Sequence, residues 1–116
     1  MTYPLAFDIH EDNGVALVRV GDSVFSDNRD ELMAVLLRLA DTPGTRIVID
    51  LSKVAMFDSA ALSMLVLVHQ RTTAGGGWLR LSHAQPLVRK LLHVTNLDRL
   101  IPTAPDDEED PGVDAG

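Results

Sequence analysis

The sequence predicts a small α/β sandwich, with helices packed on a mixed, mostly parallel sheet in the order β-β-α-β-α-β-α. Three observations carry that expectation. Two β-leaning runs are joined by Glu11-Asp12-Asn13-Gly14, in which Asn-Gly is a hairpin signal, and a short continuous apolar run (RIVIDL) occupies residues 46–51. Segments with helical spacing then separate the later strand-like runs. Strand–helix–strand units favour parallel neighbours with right-handed crossovers, and an opening hairpin adds one antiparallel strand. A length of 116 residues suits one domain and not two.

The elements follow in order. Residues 5–10 (LAFDIH) and 15–20 (VALVRV) are the hairpin strands, since both residues of Asn-Gly tolerate the positive φ of a tight turn. A helix is expected from Asn28, where Asn28 and Glu31 resemble a capping box and Leu32, Val35, Leu36 and Leu39 recur at helical spacing. Pro43-Gly44 ends it. The run at 46–51 has the pattern of a strand buried on both faces. A second helix is expected from Asp58-Ser59 to about Thr73, with Leu62, Leu65, Val66 and His69 on one face and Gly75-Gly76-Gly77 as its stop. Residues 78–82 (WLRLS) alternate as a strand. Pro86 opens a third helix carrying Leu87, Val88, Leu91 and Leu92, which Thr95-Asn96 closes. Leu100-Ile101 is expected to add a short edge strand.

Hydrophobic residues make up 46% of the chain and charged residues 23%, an ordinary globular balance. The net charge of −7 is unevenly divided. Residues 103–116 hold six acids and no base, whereas residues 1–102 hold 11 acids against 10 bases. Composition therefore divides the chain into a domain at 1–102 and an acidic, Pro/Gly-rich, disordered tail at 103–116. A nearly neutral body has no basic stripe for phosphates, which argues against a nucleic-acid partner. The longest apolar stretch, Ala60 to Val68, is interrupted by Ser63 and is too short to cross a bilayer, so no membrane insertion is expected. The start of the chain (MTYPLAFDIHED) has neither a basic region nor a small-residue cleavage site. A cytoplasmic protein is the resulting expectation.

The search for reaction chemistry is mostly negative. The absence of cysteine removes disulfides, thiolate nucleophiles and Cys-based zinc sites. His10, His69, His83 and His93 fall in different elements, without the i, i+4 spacing that puts two metal ligands on one helical face. No G-x-S-x-G elbow is present. The three glycines at 75–77 follow a helix and precede a strand, the reverse of a phosphate cradle. No catalytic residue, metal or cofactor is assigned, and a binding module is expected rather than an enzyme.

One junction stands apart. Lys53-Val54-Ala55-Met56-Phe57-Asp58-Ser59-Ala60-Ala61-Leu62 leads from the apolar strand into the second helix. The first N–H groups of a helix lack internal partners, and either Asp58 or Ser59 can cap them. Spacing alone makes this an N-cap before a core helix. The functional reading is that the small residues leave an open, flat patch, and that a serine there can carry a phosphate that the helix dipole partly stabilises.

At this junction the chain resembles the STAS domain, and within it the bacterial anti-sigma factor antagonists. Ile47-Val48-Ile49-Asp50-Leu51 followed by Phe57-Asp58-Ser59-Ala60-Ala61-Leu62 matches the family's strand, loop and Asp-Ser-Ser/Thr-Gly-Leu helix start. Val20-Gly21-Asp22, the Ala74–Gly77 turn and the run from Leu91 to Leu100 fit the family's order and spacing, so the resemblance covers residues 5 to about 102.

The resemblance implies a partner. Such antagonists bind an anti-sigma factor, often itself a serine kinase, and thereby release a sigma factor for transcription. The implied partner surface is Asp22, Asp58, Ser59, Ala60 and Ser63. Phosphorylation of the hydroxyl residue two places after the motif's aspartate breaks the family complex, but that place is Ala60 here, which has no hydroxyl. The next glycine is replaced by Ala61, and an aspartate common after the second strand stands as Phe25 or Ser26. Ser59 and Ser63 are the substitute candidates for phosphorylation. The alternative implication is a STAS subunit of another assembly, such as a stressosome-like complex or a lipid-transport ATPase. Weak nucleotide binding is the remaining one, and no motif in the chain supports it.

Overall fold

The computed structural model describes residues 5–103, and its element order begins as a hairpin. Strands β1 (Phe7–Asp12) and β2 (Val15–Val20) pair antiparallel, with Phe7 opposite Val20 and Asp12 opposite Val15. The two residues between them are left-handed, Asn13 at φ 54° and Gly14 at φ 81°, as a tight primed turn requires. Helix α1 (Asp30–Ala40), strand β3 (Arg46–Asp50), helix α2 (Ser59–Ala74) and strand β4 (Trp78–Ser82) follow. Helix α3 (Pro86–Val94) and the single turn α4 (Leu97–Leu100) complete the chain order. The sheet runs β1-β2-β3-β4, with β2, β3 and β4 mutually parallel.

Strand alternation decides where the core lies. Ala16, Val18 and Val20 of β2, Ile47 and Ile49 of β3, and Leu79 and Leu81 of β4 are buried on one face. They join Leu32 and Leu36 of α1, Met64, Leu65 and Val68 of α2, and Val88 and Leu92 of α3 in one cluster. The other face is only partly covered: Leu17 and Val48 are half-buried there, and Arg80 lies 4.1 Å over the Trp78 ring. β3 is therefore not enclosed on both sides as its continuous apolar run suggests. In a run that short, the side chains on the second face need only a partial cover.

Three local expectations are corrected. Asn28 does not cap α1; the N-cap is Arg29, whose side chain makes no capping hydrogen bond to a helix N–H. The buried stripe of α2 is Ala61, Met64, Leu65, Val68 and Thr72, whereas Leu62, Val66 and His69 are half-buried. Leu100 lies in α4 rather than in an edge strand, because left-handed Asn96 (φ 62°) starts a new helical turn. The extended pairing comes slightly later, where Leu81 N–H donates to Pro102 C=O at 2.9 Å and Leu81 bridges Thr103. The glycines after α2 serve different ends: Gly76 is left-handed at φ 85°, and a Cβ on Gly77 would collide with the Thr45 carbonyl oxygen beside the β3–β4 ladder. The acidic tail expected at 103–116 lies, from residue 104 onward, outside the described residues.

Candidate functional site

The site is built at the carboxyl edge of the parallel strands. As the chain leaves β3, Asp50 Oδ1 accepts the Ser52 N–H at 2.8 Å, turning the backbone out of the ladder. Leu51, Val54 and Phe57 then return to the core at three-residue spacing, each no more than 3% exposed. Burial on that spacing pins the connection from inside. It also leaves Ala55 and Met56 facing outward.

The Asp22–Asn28 loop forms a second wall beside this connection. Val24 pairs with Phe57 in a parallel bridge. The Val24 N–H donates to the Met56 carbonyl at 3.1 Å, and the Asp58 N–H donates to the Val24 carbonyl at 3.4 Å. Asn28 holds the loop's own shape. Its Oδ1 accepts the Phe25 N–H at 2.8 Å, and its Nδ2 donates to the Ser23 carbonyl at 3.1 Å. That use of the amide is why it does not cap α1: the side chain turns back to unpaired loop groups, an option open to Asn wherever local backbone N–H groups compete.

Asp58 joins the two walls. It is the N-cap of α2, with φ −98° and ψ −177°, and its Oδ1 accepts the Ala61 N–H at 3.0 Å. Its Oδ2 accepts the N–H of Ser26, 32 residues earlier, at 2.8 Å. The Ala61 N–H is the main cause of a carboxyl pKa held below its ordinary value; partial desolvation opposes it, and the Ser26 N–H adds to it. Donors aimed at a carboxylate favour its ionised form.

Among the sequence-derived site residues, Asp58, Ser59, Ala60 and Ser63 lie together over the first turns of α2. Ser59 and Ser63 are exposed and Ala60 is half-buried. Of the two capping candidates, Asp58 caps the helix and Ser59 does not. Asp22 is exposed, and its Oδ1 accepts the N–H of the adjacent Ser23 at 2.7 Å. The loop reaches α2 through Val24 and Ser26 rather than through the Asp22 carboxylate. Sequence reasoning missed Ser26, Met56 and the role of Asn28. The available signal was Asp58 itself, because a capping carboxylate has a second oxygen that must find a donor or water. Among the described residues no group of three or more His, Asp or Glu could hold a metal ion, and no helix is long and apolar enough to cross a membrane.

With this geometry in view, the similarities to known proteins are specific. The STAS domain model matches residues 6–109. A STAS-domain containing protein of Pseudomonas aeruginosa is 36% identical over 63 residues, covering 54% of this chain and 61% of that relative's length. A solved structure from Thermotoga maritima, described as a candidate anti-sigma factor antagonist, superposes with a TM-score of 0.79 at 21% identity, over 84% of each chain. An anti-sigma factor antagonist from Mycobacterium paratuberculosis gives a TM-score of 0.74 at 24% identity, over 89% of each chain. At these identities the two structures share the fold. The family model spans the hairpin, all four strands and the Asp58 junction, and so the chain belongs to the STAS domain family.

Proposed function

We propose that this protein is an anti-sigma factor antagonist: a cytoplasmic, non-enzymatic binding module that engages an anti-sigma factor and so regulates transcription. The observation that carries the reading is the start of α2, where small residues form an open surface braced by Asp58 against the Asp22–Asn28 loop. The Asp58, Ser59, Ala60 and Ser63 surface is where the partner docks, with the loop alongside. The fold similarity to antagonist structures supports the same reading.

The usual hydroxyl switch is missing from this chain. Phosphoryl transfer needs an attacking oxygen close to the γ-phosphorus and in line with the leaving group, and the Ala60 methyl offers none. Ser59 is one residue away, which on a helix rotates the side chain by about 100°. We read the protein as a binder that holds its partner in the presence of ATP. Tagged full-length chain should capture an anti-sigma factor from native extract, and the purified complex should persist in ATP with the intact mass of this chain unchanged. Ala60→Glu, which places a carboxylate where the family carries phosphate, should weaken that complex about tenfold or more. Binding of Ala60→Glu at wild-type strength would refute the placement.

A further inference from the structure

Two large apolar side chains stand outward beside the α2 start. Val24 and Phe57 pair and point into the core, at 0% and 3% exposure. Their chain neighbours Phe25 and Met56 therefore take the outward side and are 37% and 38% exposed. The backbone at each is held in place. The Phe25 N–H is held by Asn28 Oδ1, and the Met56 carbonyl is held by the Val24 N–H. Backbone held in place lowers the ordering cost when such side chains are buried by a partner.

Charge says what that partner presents. Residues 22–31 carry Asp22, Asp27, Asp30 and Glu31, all exposed, against the single base Arg29. Arg29 is half-buried, and its guanidinium lies against Met33 and Asp30 rather than standing clear. Residues 1–102 hold 11 acids and 10 bases. The stretch bordering Phe25 thus holds four of those acids and one of those bases. Four acids gather on the Phe25 side of the apolar pair, and on the Met56 side the exposed Lys53 stands three residues away.

We infer that Phe25 and Met56 are the anchoring side chains of the partner interface, and that they enter an apolar socket bordered by Lys or Arg on the anti-sigma factor. This inference rests on the proposed function and names the recognition chemistry at that same surface. Where the family resemblance leads one to expect an acid after the second strand, an aromatic ring makes the contact (or its neighbour Ser26 stands there), and the acids frame it. The apolar pair supplies most of the affinity, because interface energy concentrates in a few desolvated side chains. The acidic frame speeds encounter and selects against acidic surfaces.

The test compares four full-length baits in native extract: wild type, Phe25→Glu, Met56→Glu and, as a control on the exposed face of α3, Leu87→Glu. Thermal melts first establish that each is folded. Anti-sigma factor on the wild-type and Leu87→Glu baits, lost from the other two, is the expected result. The milder Phe25→Ala and Met56→Ala, measured against the purified factor, should each weaken binding about tenfold, and the wild-type association rate should fall steeply with added salt. Anti-sigma factor retained at wild-type level on both Phe25→Glu and Met56→Glu would overturn the inference while leaving the function intact. Absence of any anti-sigma factor from the wild-type bait would overturn the function, and the inference with it.

Discussion

At the start of α1, Arg29 occupies the N-cap and no side chain accepts from the helix N–H groups. At the start of α2, Asp58 accepts from Ala61 with one oxygen and from Ser26 with the other. Both starts border the same surface, and each has a capping-type residue at hand, Asn28 for the first and Asp58 for the second. The difference lies in where each side chain finds donors. Asn28 serves the loop that precedes its helix, and α1 relies on the acids Asp30 and Glu31 in its first turn, which complement the helix dipole. Asp58 has two acceptor oxygens and serves helix and loop at once. A helix start that binds something besides itself is a structural joint, and α2 has one where α1 does not.

The largest effect expected from breaking this contrast is that of Asp58→Ala. It leaves the Ala61 N–H without its cap and the Ser26 N–H without its partner. Loss of an N-cap alone destabilises by about 1 kcal/mol, and the second bond brings the total to about 1–2 kcal/mol. Chemical denaturation should show that loss at neutral pH, and binding to the proposed anti-sigma partner should weaken as well, since the loop loses its Ser26 tether beside Phe25 while the Val24 backbone bonds remain. An intact midpoint would mean that water replaces both contacts at no net loss.

Asn28→Ala should have a smaller effect of a different kind. It removes the bonds to Phe25 and Ser23 but touches no helix N–H, so α1 should keep its helicity while the loop loosens. A destabilisation of about 0.5–1 kcal/mol is expected. Hydrogen exchange at the Phe25 amide should accelerate with little change along Leu32–Ala40. Faster exchange throughout α1 would instead show that Asn28 supports the helix after all.

The strands were legible in the sequence because each carries its own local signal. Asn13-Gly14 fixes the hairpin through backbone conformation, RIVID is apolar and bounded, and Trp78–Ser82 alternates. Helix α2 was legible in position but not in its buried face. Its apolar residues are spread around the circumference, so the stripe of Ala61, Met64, Leu65, Val68 and Thr72 is chosen by the packing of α1 and β4 rather than by the pattern. The site divides in the same way. Asp58 through Ser63 form a contiguous motif and can be read directly. The Ser26 contact joins residues 32 apart in sequence, and no periodicity announces a bond from a loop amide to the spare oxygen of a distant cap. Asn28 misled for a related reason: its spacing to Glu31 satisfies the capping pattern, and tertiary geometry offered its side chain other partners.

Asp58→Asn should have the smallest effect on stability and isolates the joint from the cap. Asn is about as good an N-cap as Asp, so its amide oxygen can still accept the Ala61 N–H. Its amide nitrogen, however, can only donate, and it would face the Ser26 N–H, which also donates. The helix start should therefore survive while the loop loses its Ser26 tether, with a loss of about 0.5 kcal/mol or less and faster exchange at the Ser26 amide. Acid should imitate this substitution in the wild-type protein, because a protonated carboxyl also has one acceptor oxygen and one donor. The pKa of Asp58 is lowered in the folded state, chiefly by the Ala61 N–H. Its ionised form therefore contributes stability that is fully present above the ordinary carboxylate pKa, and that is lost as pH falls through the lower folded value. Melts of wild type and Asp58→Asn should differ at neutral pH and converge as the solution is taken below the ordinary carboxylate range. A gap that stays constant down to the acid unfolding limit would show that the difference does not depend on the charge of Asp58, and no gap at neutral pH would show that its second oxygen contributes nothing.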